Sequence, residues 1–398
     1  VPRVKGSHRR DTKIEIESHH RKNRGNKKLK STTMKFALSA SLLVSGIPAI
    51  AQAQQVSANL KGTGEIVVTT GGGGAFDEAR QKAWFEPFTR DTGIKVVLVN
   101  ASNAKLLTSL KVGQPEADMT FISGGEVPTW IEKGYVEKID YSFYSKETLA
   151  GIPQDSRGEF SVRSHSYSVV PTYSTKKYPE GTKHPENWVD IYDSVKFPGK
   201  RALPNCGNTM YGGLLEGALM GDGVPPEKLY PLDFDRAFAK LKAIAPNVGR
   251  WWGWDEGGLA TQSLIDGEAD MGAAWNGRIA NAKKEGAPVA LSWNQSLVQY
   301  DDWVIVKNAV NKVNAAKFLA YIGRPEAQAA FAQAIPYGPA NRDAFKLLPK
   351  ELAENLPGGP GVAEKQVTQD YAWWTKPRAD GRTNLDFAIE RCRAILAR

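Results

Sequence analysis

Between residues 65 and 125 short apolar runs alternate with helical ones, and that alternation limits the fold more than any other feature. EIVVTT (65–70), IKVVLV (94–99) and DMTFI (118–122) read as buried strands. The first leads into four glycines (71–74) and then a predicted helix over 75–85, with Phe76, Ala79 and Ala83 at helical spacing. Pro87 should end or kink that helix, because it lacks the N–H that the next turn needs. A short helix over 105–112 separates the second and third strands. Strand, helix, strand, helix, strand is the order of a parallel α/β sheet. The theme recurs, with strands expected at 167–172, 201–203, 269–274 and 302–306. Helices are expected at 212–220, 234–244 and 256–265, at 315–334 with a break near Gly323-Arg324-Pro325, and over the terminal residues 385–396.

The amino-terminal region follows different rules. Residues 34–55, MKFALSASLLVSGIPAIAQAQQ, join a charged start, an apolar run too short to span a bilayer permanently, and an A-x-A site. That is the order of a secretory signal peptide over 34–53. Residues 1–33 are polar and strongly basic, and are expected to be a disordered extension. Residues 1–35 hold 12 of the 52 lysines and arginines but three of the 43 acids, so 40 of each sign remain beyond them. The formal charge of +9 therefore belongs to the segment that cleavage removes, and the remainder has no net field for nucleic acid. The 345 residues after position 53 exceed one ordinary core, which predicts two lobes. Cys206 and Cys392 match no metal or redox spacing, and two free buried thiols are the expectation.

Catalytic patterns are absent beyond position 53. His165 and His184 stand near no nucleophile motif, and H-E-x-x-H and Cys/His metal spacings do not occur. No cofactor is implied. A secreted hydrolase using a pair of cleft carboxylates is the rival class. Binding features are more prominent. Gly73 and Gly74 close a glycine loop between a strand and a helix, where free N–H groups suit an anion, and Phe76 follows. Ser123 and Gly124 end another strand, at the side of an open α/β sheet where ligands bind. Trp251, Trp252 and Trp254 crowd what reads as one loop, Trp275 ends a strand, and Tyr300 precedes Asp301 and Asp302. Indole faces attract ammonium groups, and a carboxylate fixes the cation's position.

FTRDTGIKV (88–96), GEADMGAAWNGR (267–278), WVIVKNAVNKVNAAKFLAYIGRPEAQAAFA (303–332) and IPYGPANRDAFKLLP (335–349) occur in that order. The chain resembles the solute-binding proteins of bacterial ABC importers, in particular the spermidine/putrescine-type family, which includes γ-aminobutyrate receptors. The resemblance covers nearly everything from residue 65 onward. It implies an α/β, type II periplasmic-binding-protein fold: two lobes, each a mostly parallel sheet flanked by helices, with a hinge between them. Lobe one would be 60–172 plus 301–345, and lobe two 173–300 plus 346–398, with crossing strands near 169–172 and 299–302. It also implies a periplasmic location, a transmembrane permease as partner, and a monomer that captures a small cationic or zwitterionic solute.

In that family Trp275, Tyr300, Asp302 and Tyr337 would form the aromatic box and its acidic anchor, with Asp301 or Asp255 next in line. Trp373 or Trp374 would add a wall, and Trp252 and Trp254 of the tryptophan-rich stretch are further ligand-binding candidates. The loop PNCGNT (204–209) departs from polyamine receptors, which carry further acids there. One positive centre on the ligand is therefore expected, with Arg201, Arg250 or Arg278 facing its carboxylate. A γ-aminobutyrate-like zwitterion fits best, with a polyamine or a betaine as alternatives within the same fold. An iron receptor would offer adjacent tyrosines, and this chain has no Tyr-Tyr pair. Terminal sequencing of secreted protein is expected to find Gln54 first. A product that keeps residues 36–50 would overturn the signal reading.

Overall fold

A computed structural model gives the fold of residues 57–70, 74–101, 103–253 and 256–396. The basic extension, the signal segment, Gly73, Trp254 and Asp255 lie outside the described residues. The first three apolar runs are strands: β1 (Glu65–Thr69), β2 (Lys95–Val99) and β3 (Met119–Ser123). They are followed by β4 (Val162–Ser174), β5 (Arg201–Pro204), β6 (Val248–Trp252), β7 (Met271–Trp275) and β8 (Val289–Leu291). β9 (Ser296–Ile305), β10 (Gly338–Pro339) and β11 (Gln366–Thr368) complete the set.

These strands make one sheet, ordered β2-β1-β3-β9-β4-β7-β5-β6 along its main path. Both ends of that path are parallel, β1 lying between β2 and β3, and β5 between β6 and β7. The middle is antiparallel. β4 pairs with β9 over residues 162–169 and then with β7 over 169–173. β9 pairs with β4 and, over 301–305, with β3. Two long strands thus carry the chain between two parallel halves, and β11 adds a further strand beside β9 at residues 296–298.

The expected helices are present, with informative differences. Pro87 does not end its helix. The segment Gly74–Arg80 passes through a π-helical turn, Gln81–Phe85, into Glu86–Thr92, and Pro87 falls in the first turn of this last part. The widened π-helical turn just before Pro87 is where the ladder is locally rearranged, so the helix passes the proline without ending. Trp251 and Trp252 lie in β6, not in a loop. Inside, Trp84 stacks on Phe331 with centroids 4.0 Å apart, and its indole N–H donates to the Ala327 carbonyl at 3.0 Å.

Cys206 and Cys392 are joined by a disulfide, which corrects the expectation of free thiols. Sequence spacing could not reveal it, because 186 positions separate them while their Cα atoms lie 5.5 Å apart. The bond ties the segment after β5 to the terminal helix Asn384–Leu396. Replacing both cysteines with serine is expected to cost about 2–5 kcal/mol in denaturant unfolding, since a long loop is then freed in the unfolded chain. An unchanged unfolding midpoint would contradict this.

Candidate functional site

Side chains alternate across a strand, so neighbouring residues face opposite ways. Asp301 and Asp302 on β9 are such neighbours, and they occupy different surroundings. In the β4–β9 ladder Asp302 lies opposite Arg163 and Asp301 opposite His165, with a register irregularity between Arg163 and His165. Asp302 accepts a hydrogen bond from Ser161 Oγ at 3.0 Å and lies 3.7 Å from Arg163 Nε. Asp301 faces an aromatic cluster. Tyr167 donates its hydroxyl proton to Asp301 Oδ1 at 3.3 Å, and His165 Nε2 lies 3.7 Å from Oδ2.

His165 stacks on Tyr337 with centroids 5.0 Å apart and an interplanar angle of 18°. Phe76 leans on both rings. Tyr167 meets Trp275 edge-on, and Trp275 in turn meets Trp252 at 5.2 Å. Tyr211 and Tyr371 complete the ring of phenols close enough to act electrostatically on Asp301 or be acted on by it. Glycines let these rings close up. A Cβ at Gly257 would run into Trp275, one at Gly277 into Tyr337, and one at Gly124 into Tyr300.

The electrostatics follow from burial. Asp301 is 5% exposed, and its carboxyl is held well above the ordinary carboxylate range. Burial is the main cause, Asp302 and Glu126 add repulsion, and the Tyr167 hydrogen bond opposes them. No lysine or arginine among the described residues pairs with Asp301; its ion-pair neighbour is His165. Burial, with the nearby Arg80, pushes the His165 imidazole down to about 3, so the ring is neutral at ordinary pH. Glu126, at the start of the helix Val127–Glu132, is a second acid raised by burial, and it lies near Tyr211 and Asp301.

The residues singled out in the sequence separate into two groups. Phe76, Trp275, Tyr337 and Trp252 join the cluster, and Ser123 and Gly124 border it beside Tyr211 and Tyr300. Gly74 is exposed at the start of its helix. Others are used elsewhere. Asp302 is turned to Arg163 and Ser161, because strand alternation puts it on the other side from Asp301. Tyr300 shares that side, where the Arg163 guanidinium sits 3.5 Å from its ring centroid, although its edge reaches Tyr371. Arg201 is fully buried, and its guanidinium donates to the carbonyls of Ile191, Asp193, Phe197 and Gly199, leaving nothing for a ligand. Trp374 points inward, its indole N–H donating to Glu216 at 2.8 Å. Arg250 is taken by Glu268. His165, Tyr167, Tyr211, Tyr371 and Glu126 escaped sequence reasoning, and alternation along 162–174 was the one available signal for the first two.

A profile of bacterial extracellular solute-binding proteins matches residues 83–357. The chain belongs to that family. It is 35% identical over 309 residues to a γ-aminobutyric acid-binding protein of Pseudomonas aeruginosa, an alignment spanning 76% of this chain and 84% of the relative. The spermidine/putrescine-binding periplasmic protein of Escherichia coli is 25% identical over 279 residues, covering 68% and 77%. The solved structure of a GABA receptor superposes with a TM-score of 0.72 at 32% identity, covering 84% of this chain and 98% of that one. The fold is accordingly the two-lobed α/β fold of periplasmic binding proteins, with mostly parallel sheet halves flanked by helices. Among the described residues no helix is long and apolar enough to cross a membrane, and no group of three or more acidic, His or Cys side chains gathers as a metal site.

The raised Asp301 carboxyl has a consequence for this solute-binding protein. A group whose pKa rises on folding favours the native state below its unfolded value and weakens it as pH climbs through the folded value. Asp301→Asn is therefore expected to raise the thermal midpoint of the ligand-free protein at pH 7, with the gain vanishing below about pH 4. A lowered midpoint at pH 7 would contradict the unpaired state of this acid.

Proposed function

We propose that this protein is an extracytoplasmic receptor that captures a small zwitterionic amine of the γ-aminobutyrate class and delivers it, unaltered, to an ABC permease. Asp301 carries the reading. A buried carboxyl whose ion-pair neighbour among the described residues is a neutral imidazole needs a counterion, and a ligand ammonium ringed by Tyr167, Tyr211, Tyr337 and Tyr371 meets that need. The relatives that bind γ-aminobutyrate support the same class. Of the three arginines considered for the ligand carboxylate, Arg201 and Arg250 are occupied. Arg278 has no ion pair among the described residues, is exposed on the helix Asn276–Lys284, and acts electrostatically on Tyr337. It is our choice for that role.

The lobes would be 60–172 plus 301–345 and 173–300 plus 346–398, with closure about β4 and β9, and the receptor acting as a periplasmic monomer. Glu126 favours a second reading, since an additional half-buried acid beside Tyr211 suits a diamine. Calorimetry against γ-aminobutyrate, betaine, putrescine and spermidine separates the two. The expected order puts γ-aminobutyrate tightest, with the ligand recovered chemically unchanged. Asp301→Asn should weaken it roughly 30-fold or more, since losing a buried charge partner costs about 2–5 kcal/mol. Asp302→Asn should change affinity much less. Tightest binding of spermidine would favour the polyamine reading, and turnover of a supplied solute would favour an enzyme.

A further inference from the structure

The β4–β9 ladder slips by one residue at Ser164, and that slip decides what Asp301 faces. Arg163 lies opposite Asp302 and His165 opposite Asp301, so two steps along β4 match one step along β9. In an unbroken antiparallel ladder Ser164 would oppose Asp301, and His165 would oppose Tyr300 on the face of Arg163. The bulge instead transfers His165 and, two residues on, Tyr167 to the face of Asp301.

The bulged residue also holds the ring that it re-aims. Ser164 is buried, and its Oγ lies 3.1 Å from His165 Nδ1. The imidazole is buried too, stacked on Tyr337 and packed against Phe76 and Phe331, so its plane is set by its neighbours. Its other nitrogen, Nε2, lies 3.7 Å from Asp301 Oδ2, while the Tyr167 hydroxyl donates to Oδ1 at 3.3 Å. Two residues of one strand thus address the two carboxyl oxygens separately. Burial and the nearby Arg80 keep the ring neutral, and a neutral imidazole carries one N–H. With Ser164 Oγ donating to Nδ1, that N–H is Nε2–H, directed at Asp301.

We infer that His165 is a positioning residue for the ligand ammonium: through Nε2–H it fixes Asp301 Oδ2 while supplying no charge, so the carboxylate is oriented but its counterion must come from the ligand. This deepens the receptor reading and rests on it. A lysine or arginine in the same place would orient the carboxylate and also neutralise it, which would remove the demand for an ammonium. At 3.7 Å the pair is longer than a hydrogen bond. A carboxylate made anionic by a bound ammonium draws the N–H in to about 2.9 Å, since charge-assisted bonds are the shorter ones.

Two variants separate the donor from the ring, each titrated calorimetrically with γ-aminobutyrate. Phenylalanine keeps the shape and stacking of the ring but has no N–H, whereas glutamine gives up the ring and keeps a neutral donor of similar reach. His165→Phe should weaken binding roughly tenfold or more, and His165→Gln should stay within about threefold of the parent protein. In an Asp301→Asn background, His165→Phe should change affinity less than about threefold, because a residue that acts through Asp301 then has nothing to act on. Nitrogen-15 NMR of the ligand-free protein at pH 7, with the His165 signals assigned by their loss in His165→Phe, should show a neutral ring protonated at Nε2. A proton on Nδ1 or a charged ring would overturn the inference. So would a His165→Phe affinity equal to the parent's, a His165→Gln affinity as weak as that of His165→Phe, or the same loss in the Asp301→Asn background. Failure of the receptor reading looks different: the parent protein would bind no γ-aminobutyrate, or Asp301→Asn would bind it as tightly as the parent. The NMR spectrum of the ligand-free protein still decides where the imidazole proton lies.

Discussion

The antiparallel pairing of β4 with β9 is the constraint on which the rest of the structure depends. Each strand is buried along most of its length, so its backbone groups must be satisfied within the sheet. Each also changes partners along its other edge, β4 from β10 to β7 and β9 from β11 to β3. Within the sheet the two parallel halves are joined through this ladder. That same ladder carries His165, Tyr167 and Asp301. The residues that define the candidate site thus stand on paired strands, the kind of support that precise recognition of a small solute requires.

Three buried charged or ionisable groups make the electrostatic logic plain. Arg80 is buried, yet it is paired with Asp77 and directed at the Thr69 carbonyl. Glu216 is buried, yet it accepts from Tyr230, Gln369 and Trp374 at 2.6, 3.0 and 2.8 Å. Asp301 has one hydroxyl donor at 3.3 Å and a neutral imidazole at 3.7 Å. The first two are structural groups with their partners built in. Asp301 has no lysine or arginine partner among the described residues. In the receptor reading proposed above, a ligand ammonium would complete it.

Aromatic packing explains why the cluster has the shape it has. Phe76, His165 and Tyr337 lean on one another, while Tyr167, Trp275 and Trp252 continue the contacts toward the other half of the sheet. Gly124, Gly257 and Gly277 are the positions where rings come too close to backbone for any side chain. Charge recognition and close packing are therefore produced by the same residues, and a change to one disturbs the other.

The sequence by itself determined the alternation of strands and helices, the order of motifs, the lack of catalytic patterns and the absence of acids from residues 204–209, because each is local or compositional. It also singled out Phe76, Trp275 and Tyr337, though on separate grounds and not as one cluster. It could not choose between Asp301 and Asp302, since a shift of one residue along a strand turns every side chain to the other face. Nor could it distinguish an arginine that serves four hydrogen bonds to carbonyls from an exposed one with no ion pair among the described residues, as Arg201 and Arg278 show. The disulfide between Cys206 and Cys392 and the neutral state of His165 depend on segments distant in the chain. Only the tertiary structure decided them, because burial and partnership belong to the packed chain and not to any stretch of it.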